Sequence, residues 1–165
     1  MKKSLLTILT MGLALLSGCG SLPVVGSFEE FNEVFVGKVH WNGFTGTSRI
    51  EVEGQNTGAK GKGSSWVTYI PPTLSCEGQK GEALLTFDDS RVVKVQWVGL
   101  SCTSGWGTGI DQDGDVFTFK FGMNKKETQA EIERRSKESK NKPALPPSGH
   151  YKESERIKNN LLHKL

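Results

Sequence analysis

Apolar side chains recur at every second position along much of the chain between residues 33 and 122. Ile50 and Val52 alternate with charged residues, and Phe117, Phe119 and Phe121 alternate with Thr and Lys. A period of two places these side chains on one face of a strand, which is typical of an antiparallel sheet with one packed and one solvated face. Clusters of Gly, Asn, Asp and Pro separate the runs. The pattern predicts an all-β fold, a small antiparallel barrel or sandwich of about six to eight strands.

The composition changes at both ends of this β region and divides the chain into four segments. We predict a signal peptide at 1–18, a lipidated tether at 19–32, an antiparallel β-domain at 33–123 and a basic, helical or disordered tail at 124–165. A helix in the first half of the tail would be polar on every side and therefore marginal in water. Near the C-terminus, Ile157, Leu161 and Leu165 lie at a spacing of four, which predicts a short amphipathic helix.

The N-terminus has the features of an export signal. Lys2 and Lys3 precede the apolar run Leu5–Leu16, which is shorter than the roughly 20 residues that a spanning helix needs. The run leads into Leu-Ser-Gly-Cys, which resembles the lipobox of bacterial lipoproteins; the alternative is an uncleaved, buried helix. The resemblance implies that the mature chain begins at Cys19, carries diacylglycerol and a further acyl chain such as palmitate there, and lies in the bacterial cell envelope. Gly20 replaces the aspartate that retains this family in the inner membrane, so the resemblance favours the outer membrane.

Two cysteines remain once Cys19 is assigned to lipidation. Outside the cytoplasm, Cys76 and Cys102 are most simply interpreted as one disulfide. Closing a loop of about 26 residues would stabilise the fold by roughly 3 to 4 kcal/mol on the chain-entropy model. The alternatives are two free thiols or a metal-binding pair.

The charges of the β-domain and the tail are opposite. Residues 19–123 carry more acidic than basic side chains, whereas residues 124–165 carry more basic than acidic ones. A basic tail favours anionic partners, such as lipopolysaccharide phosphates, anionic wall polymers or the protein's own acidic domain. An envelope protein is a further candidate partner of the tail. The alternative is a tail that charge merely keeps solvated. We predict membrane contact through the N-terminal acyl chains and no nucleic-acid partner.

Three alternating aspartates, Asp111, Asp113 and Asp115, have the spacing with which calcium loops begin. An EF-hand loop would then need glycine where Val116 stands and glutamate where Gly122 stands. Asp-Gly between alternating hydrophobic residues is instead a strong hairpin signal. We therefore predict a turn here, and no metal site or cofactor.

The sequence offers few residues for catalysis. His40, His150 and His163 are the histidines of the chain, and no Gly-x-Ser-x-Gly motif is present. We therefore predict that the protein is not an enzyme; a small envelope hydrolase acting through His40 is the third alternative.

Three residues are candidates for binding. Trp106 lies between glycines, where neighbouring side chains cannot cover its ring, although tryptophans of small β-domains usually fill the core. Lys60 and Lys62 lie in the glycine-rich stretch 54–65, which we interpret as a flexible hairpin loop able to contact an anionic partner.

The order of short motifs resembles a set of small bacterial β-domain lipoproteins. These have Cys-x-Gly, a later cysteine followed by Asp-Gly-Arg, a Gly-x-Gly strand and a closing Phe-x-Phe-x-Phe-Gly, and the likeness covers about residues 34–122. Phe87 stands where that set has its second cysteine, and Ser90 replaces the glycine before Arg91. The resemblance implies a β fold with a rearranged bridge to Cys102, and it implies no activity.

A weaker resemblance is to the periplasmic inhibitors of lysozyme, which are small, disulfide-bonded β-barrels. They present a serine-glycine loop and a lysine-glycine loop to the enzyme; Ser104-Gly105 and Lys120 would take those roles, although Phe121 separates Lys120 from the next glycine. Our leading hypothesis is a lipid-anchored envelope protein with a non-catalytic binding or structural role. An inhibitor of a wall-degrading enzyme is the alternative.

Overall fold

The structure is a computed structural model that describes residues 19–42 and 46–146. Within these residues the chain forms eight strands and then one helix. The strands are β1 (Cys19–Phe28), β2 (Val34–Asn42), β3 (Thr47–Gly54), β4 (Lys60–Tyr69), β5 (Lys80–Phe87), β6 (Val92–Gly99), β7 (Gly105–Asp111) and β8 (Val116–Phe121), and the helix is α1 (Lys125–Ser139). The predicted signal peptide, His150, His163 and the predicted C-terminal amphipathic helix lie outside the described residues.

The strands form a closed antiparallel barrel. Each strand pairs with its neighbours in sequence, and β1 also pairs with β8. The prediction of an all-β fold is therefore confirmed, with the barrel as the correct alternative. Odd-numbered strands begin and even-numbered strands end at one end of the barrel, which we call the mouth; connections 70–79 and 100–104 lie there. Connections 29–33, 55–59, 88–91 and 112–115 lie at the opposite end, which we call the closed end.

The segment that we predicted as a tether is part of the barrel. Cys19–Phe28 forms β1, so the β-domain begins near residue 19 and not at 33. Pro23 concealed the strand in the sequence, because proline lacks an N–H and is rare inside sheets. The pairing of β1 with β8 starts at Val24, so Pro23 precedes that ladder.

The glycine-rich stretch 54–65 is also different from its prediction. Only residues 55–59 form a loop, and Lys60 and Lys62 lie within β4. They pair with Glu53 and Glu51 of β3, an arrangement of opposite charges that favours strand pairing. The lysines are therefore on the barrel wall rather than on a flexible loop.

Aromatic rings fill the closed end. Phe28 contacts Phe31, Phe35 and Phe117 edge to face, and Phe35 contacts Phe87 at 5.0 Å between ring centroids. Edge-to-face pairs add about 0.5 to 1.5 kcal/mol each beyond burial of their area. Phe87, which stands where the β-domains that the sequence resembles have a cysteine, is a core residue here. Ser90, which replaces their glycine, has a φ of 69°, in the left-handed region that favours glycine.

A buried arginine completes the closed end. Arg91 Nη1 donates to Asp111 Oδ2 at 2.8 Å, and the guanidinium carbon lies 5.0 Å from the centroid of the Phe28 ring. Asp111 Oδ1 also accepts from the backbone N–H groups of Asp113 and Asp115 at 2.8 and 2.9 Å. The hairpin turn predicted at these aspartates is present, and the Asp111 carboxylate organises it.

Helix α1 packs on the outside of β1. Asn124 caps it through a capping box with Glu127, which satisfies backbone donors at its first turn. Arg135 Nη1 donates to Ser27 Oγ at 2.7 Å and to the Thr118 carbonyl at 3.1 Å, so the contact with the barrel is polar. Within residues 19–42 and 46–146, no helix has both the length and the apolar character needed to cross a bilayer.

The chain after α1 covers the closed end. Asn32 N donates to the Pro143 carbonyl at 2.8 Å, Leu145 packs against the core, and Arg91 Nη2 donates to the Pro146 carbonyl at 2.6 Å. The first part of the predicted tail is therefore a structural part of the barrel.

Candidate functional site

The mouth half of the barrel encloses a cavity of about 380 Å³. A cluster of contacting phenylalanine rings fills the closed end, whereas toward the mouth Trp97, Phe119 and Phe121 share the interior with small residues such as Ser48, Ser65 and Ala83, which leaves space between the side chains. The cavity is lined by inward residues of all the strands except β7 and by connections at the mouth. Those that define its walls are Leu22, Val24, Val39, Trp41, Ser48, Ile50, Val52, Ser65, Val67, Ile70, Gln79, Ala83, Leu85, Val95, Trp97, Phe119 and Phe121.

Strand β7 contributes backbone instead of side chains to the interior. Its inward positions are Gly105, Gly107 and Gly109, which pair with Phe121, Phe119 and Phe117 of β8. A Cβ added at Gly107 would lie 2.5 Å from the Phe119 ring, closer than real Cβ contacts. The glycines therefore allow the phenylalanine row to lie flat across β7, with successive rings 6.3 Å apart.

The polar groups inside the cavity are few and uncharged. Trp97 Nε1 donates to Ser65 Oγ at 2.8 Å, so the indole N–H is satisfied inside the barrel. The Trp97 ring also meets Phe121 edge to face, with 6.0 Å between their centroids. Ser48 is the ladder partner of Ser65, Gln79 lies in connection 70–79 at the mouth, and none of the described residues that line the cavity is charged. An apolar ligand could bury its surface here, whereas an ion would lose its hydration without compensation.

Two connections at the mouth are joined covalently. The Cys76–Cys102 disulfide, predicted from the sequence, is present with its Cα atoms 4.7 Å apart. It links connection 70–79 to connection 100–104, and Gly78 N donates to the Gly99 carbonyl beside it. Both cysteines line the cavity, so the bridge fixes part of the entrance.

Large apolar side chains surround this entrance. Leu74 is 84% exposed, and its backbone has a φ of 55°. A left-handed leucine costs roughly 1 to 2 kcal/mol, and such strain concentrates at functional sites. Trp41, Ile70 and Leu100 are also exposed at the mouth. We call these four residues, together with Tyr69, the mouth rim.

The binding residues predicted from the sequence lie outside the cavity. Trp106 is exposed on the outer wall, opposite Val98 and Lys120 in the ladders. Its exposure is as predicted, because the glycines beside it point inward and offer no cover. Lys60 and Lys62 are on the outer face of β4, far from Trp106 in strand order, so the structure does not bring the three together.

The residues considered for inhibition or catalysis are also separated from the cavity interior. Lys120 donates to Glu131 Oε2 at 3.1 Å on the outer wall, and Ser104 Oγ forms a hydrogen bond with Ser101 Oγ at the mouth. His40 is exposed and pairs in register with Arg49. Among the described residues, no group of three His, Cys, Asp or Glu side chains has a geometry that could hold a metal ion.

The acidic residues at the closed end are used for structure. Burial raises the pKa of Asp115, Asp111 and Glu30 raise it further, and Arg91 opposes the shift. The buried Glu33 accepts from the backbone N–H groups of Asn56 and Thr57 at 3.0 Å each, which holds connection 55–59.

The sequence did not predict a cavity, although it predicted which of these side chains point into the barrel. Alternation placed Ile50, Val52, Val95 and Trp97 on the packed face, and all four face inward. Whether the inward side chains fill the interior or leave a cavity depends on the number of strands and on barrel closure. Alternation of apolar residues gives no information about either property. The unusual number of glycines in strands was the available signal of close packing between backbone and rings.

The comparisons with known proteins are sparse. No protein-family model and no curated protein matches the chain. The chain is similar to the structure of a redesigned beta barrel, at 20% identity and a TM-score of 0.47, over 64% of this chain and 90% of that one. A likeness of this degree carries no argument about function.

Proposed function

We propose that this protein is a lipid-anchored lipoprotein of the bacterial cell envelope that holds a small apolar molecule, or the apolar part of an amphiphile, inside its barrel. Its role is binding rather than catalysis. The cavity supports the binding role, and the lipobox that ends at Cys19 supports the anchor.

The observation that carries the binding role is the uncharged cavity of about 380 Å³ at the mouth. Ligand pockets commonly measure about 300 to 1,000 Å³ and combine apolar walls with a few polar groups. An eight-stranded barrel is about the size at which the interior can hold one small ligand. The volume suits one acyl chain of moderate length or a compact ring system, and a whole phospholipid would not fit.

A filling substitution tests this role. We expect Ala83→Phe to abolish or strongly weaken binding of N-phenyl-1-naphthylamine, because Ala83 lines the cavity and a phenyl ring there would occupy ligand space. The chain is produced from Gly20 onward, so that no acyl chain competes, and binding is measured by the rise in probe fluorescence. The matched control is Leu84→Phe, at the next position of β5, where the side chain points outward and is 40% exposed.

Thermal unfolding of both variants shows whether the barrel remains folded. Equal probe binding by the two variants, with both folded, would contradict the lumenal site. Absence of binding by the unsubstituted chain across apolar probes of different length would do the same.

The anchor is tested separately. We expect mass spectrometry of the membrane-derived protein to show a chain that begins at Cys19 and carries acyl groups, and we expect Cys19→Ala to remove them. A single acyl chain gives weak, reversible attachment, whereas two or more anchor stably. An intact Met1 and an unmodified Cys19 would contradict the proposal, and separation of inner and outer membranes would test the outer-membrane assignment.

The basic tail is proposed to contact an anionic wall or lipopolysaccharide component, or an acidic envelope protein. Because α1 packs on the barrel wall and residues 140–146 cover the closed end, deletion of the whole tail would confuse partner loss with unfolding. We therefore propose to delete residues 147–165 alone and to compare co-purifying envelope material. Unchanged co-purification would exclude a recruiting role for that segment.

A further inference from the structure

The exposed apolar side chains of the barrel are concentrated at the mouth. Leu74 and Leu100 project from the two connections that the Cys76–Cys102 disulfide joins. Trp66 and Trp106 are exposed on the outer wall close to the mouth ends of β4 and β7. Clustered apolar exposure of this kind marks a surface that contacts a partner or a membrane.

The rim includes the residue types that partition into a membrane interface. Tryptophan and tyrosine favour the headgroup level, where one edge of the ring is apolar and the other hydrated, and leucine favours the acyl boundary. Trp41 and Tyr69 lie at the mouth ends of their strands, and Lys80 lies 5.8 Å from the centroid of the Tyr69 ring. The rim therefore combines aromatic and aliphatic groups, with the cationic Lys80 next to it.

Leu74 is a second, independent indication. Its left-handed backbone is a conformation in which Gly or Asn would be relaxed, yet the position carries a leucine that is 84% exposed. Neither folding nor solubility benefits from that choice. A leucine held out from the mouth is explained by an apolar environment outside the protein.

Charge is distributed unequally between the two ends. The four connections at the closed end carry seven carboxylates and one arginine, of which Glu33, Asp115 and Arg91 are buried. The more accessible carboxylates are Glu29, Glu30, Asp88, Asp89 and Asp113, and the segment after α1 that covers this end adds Lys140 and Lys142. The mouth connections 70–79 and 100–104 carry Glu77 alone, while Lys80, Lys125, Lys126 and Glu127 lie at the mouth ends of β5 and α1, so the closed end is the more acidic of the two. An anionic bilayer would repel the closed end and accept the mouth.

We infer that the mouth rim docks on the headgroup–acyl boundary of a phospholipid bilayer that contains anionic lipid, so that the cavity opens toward the membrane. The first described residue, Cys19, lies at the mouth end of β1, beside Asn42. An anchor at that residue would hold the mouth, and not the closed end, against the membrane. Apolar ligands could then exchange between bilayer and cavity without crossing water; this last step rests on the proposed lumenal binding.

The tryptophans provide an intrinsic reporter for the test. The chain has four of them, and Trp41, Trp66, Trp97 and Trp106 all lie in the mouth half of the barrel. The full-length protein, as isolated from membranes, is reconstituted in vesicles of phosphatidylethanolamine and phosphatidylglycerol whose acyl chains carry bromine near the glycerol end. We expect clear quenching of tryptophan fluorescence relative to vesicles without bromine.

A pair of substitutions at the rim is compared with a pair on the wall. Leu74→Asn with Leu100→Ser is expected to lose most of the quenching, and the asparagine suits the left-handed backbone, so the barrel should remain folded. The matched control is Leu84→Asn with Ile110→Ser; both side chains are exposed on the outer wall opposite Lys94, and quenching should persist.

Three outcomes separate this inference from the proposed function. Equal quenching of the two variants, or no quenching of the unsubstituted protein, would overturn docking through the rim, whatever the result of probe binding. Quenching that depends on the rim, without any probe binding, would support docking and contradict the proposal that the lumen binds a ligand. Probe binding that survives in the rim variant, together with lost quenching, is the result that both proposals predict.

Discussion

Glycine residues on β7 decide how closely backbone and rings approach inside the barrel. Gly107→Ala would place a Cβ 2.5 Å from the Phe119 ring and 2.3 Å from the Gln96 carbonyl oxygen. Because the added methyl group would clash with both the ring and the carbonyl oxygen, we expect the free energy of unfolding to fall by about 1 to 3 kcal/mol. Denaturant titration measures this change. Thr108→Ala, at an exposed position next to it, is the control. Equal stability of the two variants would show that the ring can move aside without cost.

A substitution at Leu74 is expected to raise the free energy of unfolding. Asparagine adopts the left-handed conformation more readily than leucine, and Leu74 buries little surface that the substitution would lose. Leu74→Asn should therefore raise the free energy of unfolding by about 0.5 to 1 kcal/mol, or raise the midpoint of thermal unfolding. A less stable variant would mean that the side chain makes contacts that its exposure conceals.

Residue types also set the limit of prediction from sequence at this scale. The inward direction of Trp97 followed from alternation, whereas the glycines beside Trp106 indicated exposure and the usual role of tryptophan in small β-domains indicated burial. The left-handed conformation of Leu74 was not predicted, because leucine is not a residue type that marks such a position; its backbone N–H closes a local turn on the Pro71 carbonyl at 2.8 Å.

Helix α1 shows how an element of low apolar content can still be docked. Glu131 accepts hydrogen bonds from Lys120, Arg134 and Arg135, and Arg135 reaches Ser27 and Thr118 of the barrel. A search for an apolar stripe predicts a solvated helix here, because the contact depends on charged and polar groups. Strand β1 was missed because its proline and glycines resemble a linker.

The pKa of Glu131 gives this docking a pH dependence. Burial alone would raise it, but hydrogen bonds from Arg134, Lys120 and Arg135 outweigh burial and lower the pKa from 4.5 to about 2. A carboxylate with a lowered pKa stabilises the fold fully above pH 4.5, and the contribution is lost as the pH falls toward about 2.

We therefore expect Glu131→Gln to lower the free energy of unfolding by about 1 to 3 kcal/mol at neutral pH, and the difference from the unsubstituted protein to shrink on acidification. Denaturant titrations at a series of pH values measure it. Glu133→Gln, on the exposed side of α1, should show a much smaller effect. A constant difference down to pH 2 would contradict the role of the Glu131 charge.

At the scale of the whole molecule, the described residues form a barrel with one closed end and one open end. Its closed end is sealed by aromatic rings, Arg91 and the chain after α1, and its mouth is held by the Cys76–Cys102 disulfide.

Replacing both Cys76 and Cys102 with serine should lower the free energy of unfolding by roughly 3 to 4 kcal/mol. Denaturant titration measures this, with Cys19→Ser as the control. A change below about 1 kcal/mol would show that pairing of β5 with β6 already restricts the two connections.

The barrel was predictable from sequence as one of two alternatives, because alternation in the runs around Ile50, Val95 and Phe119 indicates sheets with one packed face. Closure was not predictable, since it depends on the pairing of β1 with β8, whose partners lie almost one hundred residues apart. The cavity follows from closure and from the concentration of phenylalanine at one end, and neither property is local in sequence.

The central claim is that the lumen at the mouth is a binding site for an apolar ligand. A crystal structure of the protein with a brominated fatty acid of moderate chain length tests it most directly, because the anomalous signal locates the bromine atom without interpretation of weak density. We predict a bromine peak inside the cavity, among Ala83, Trp97 and Phe119. An empty lumen at a ligand concentration that saturates binding in solution, with bromine only on the outer wall, would contradict the claim.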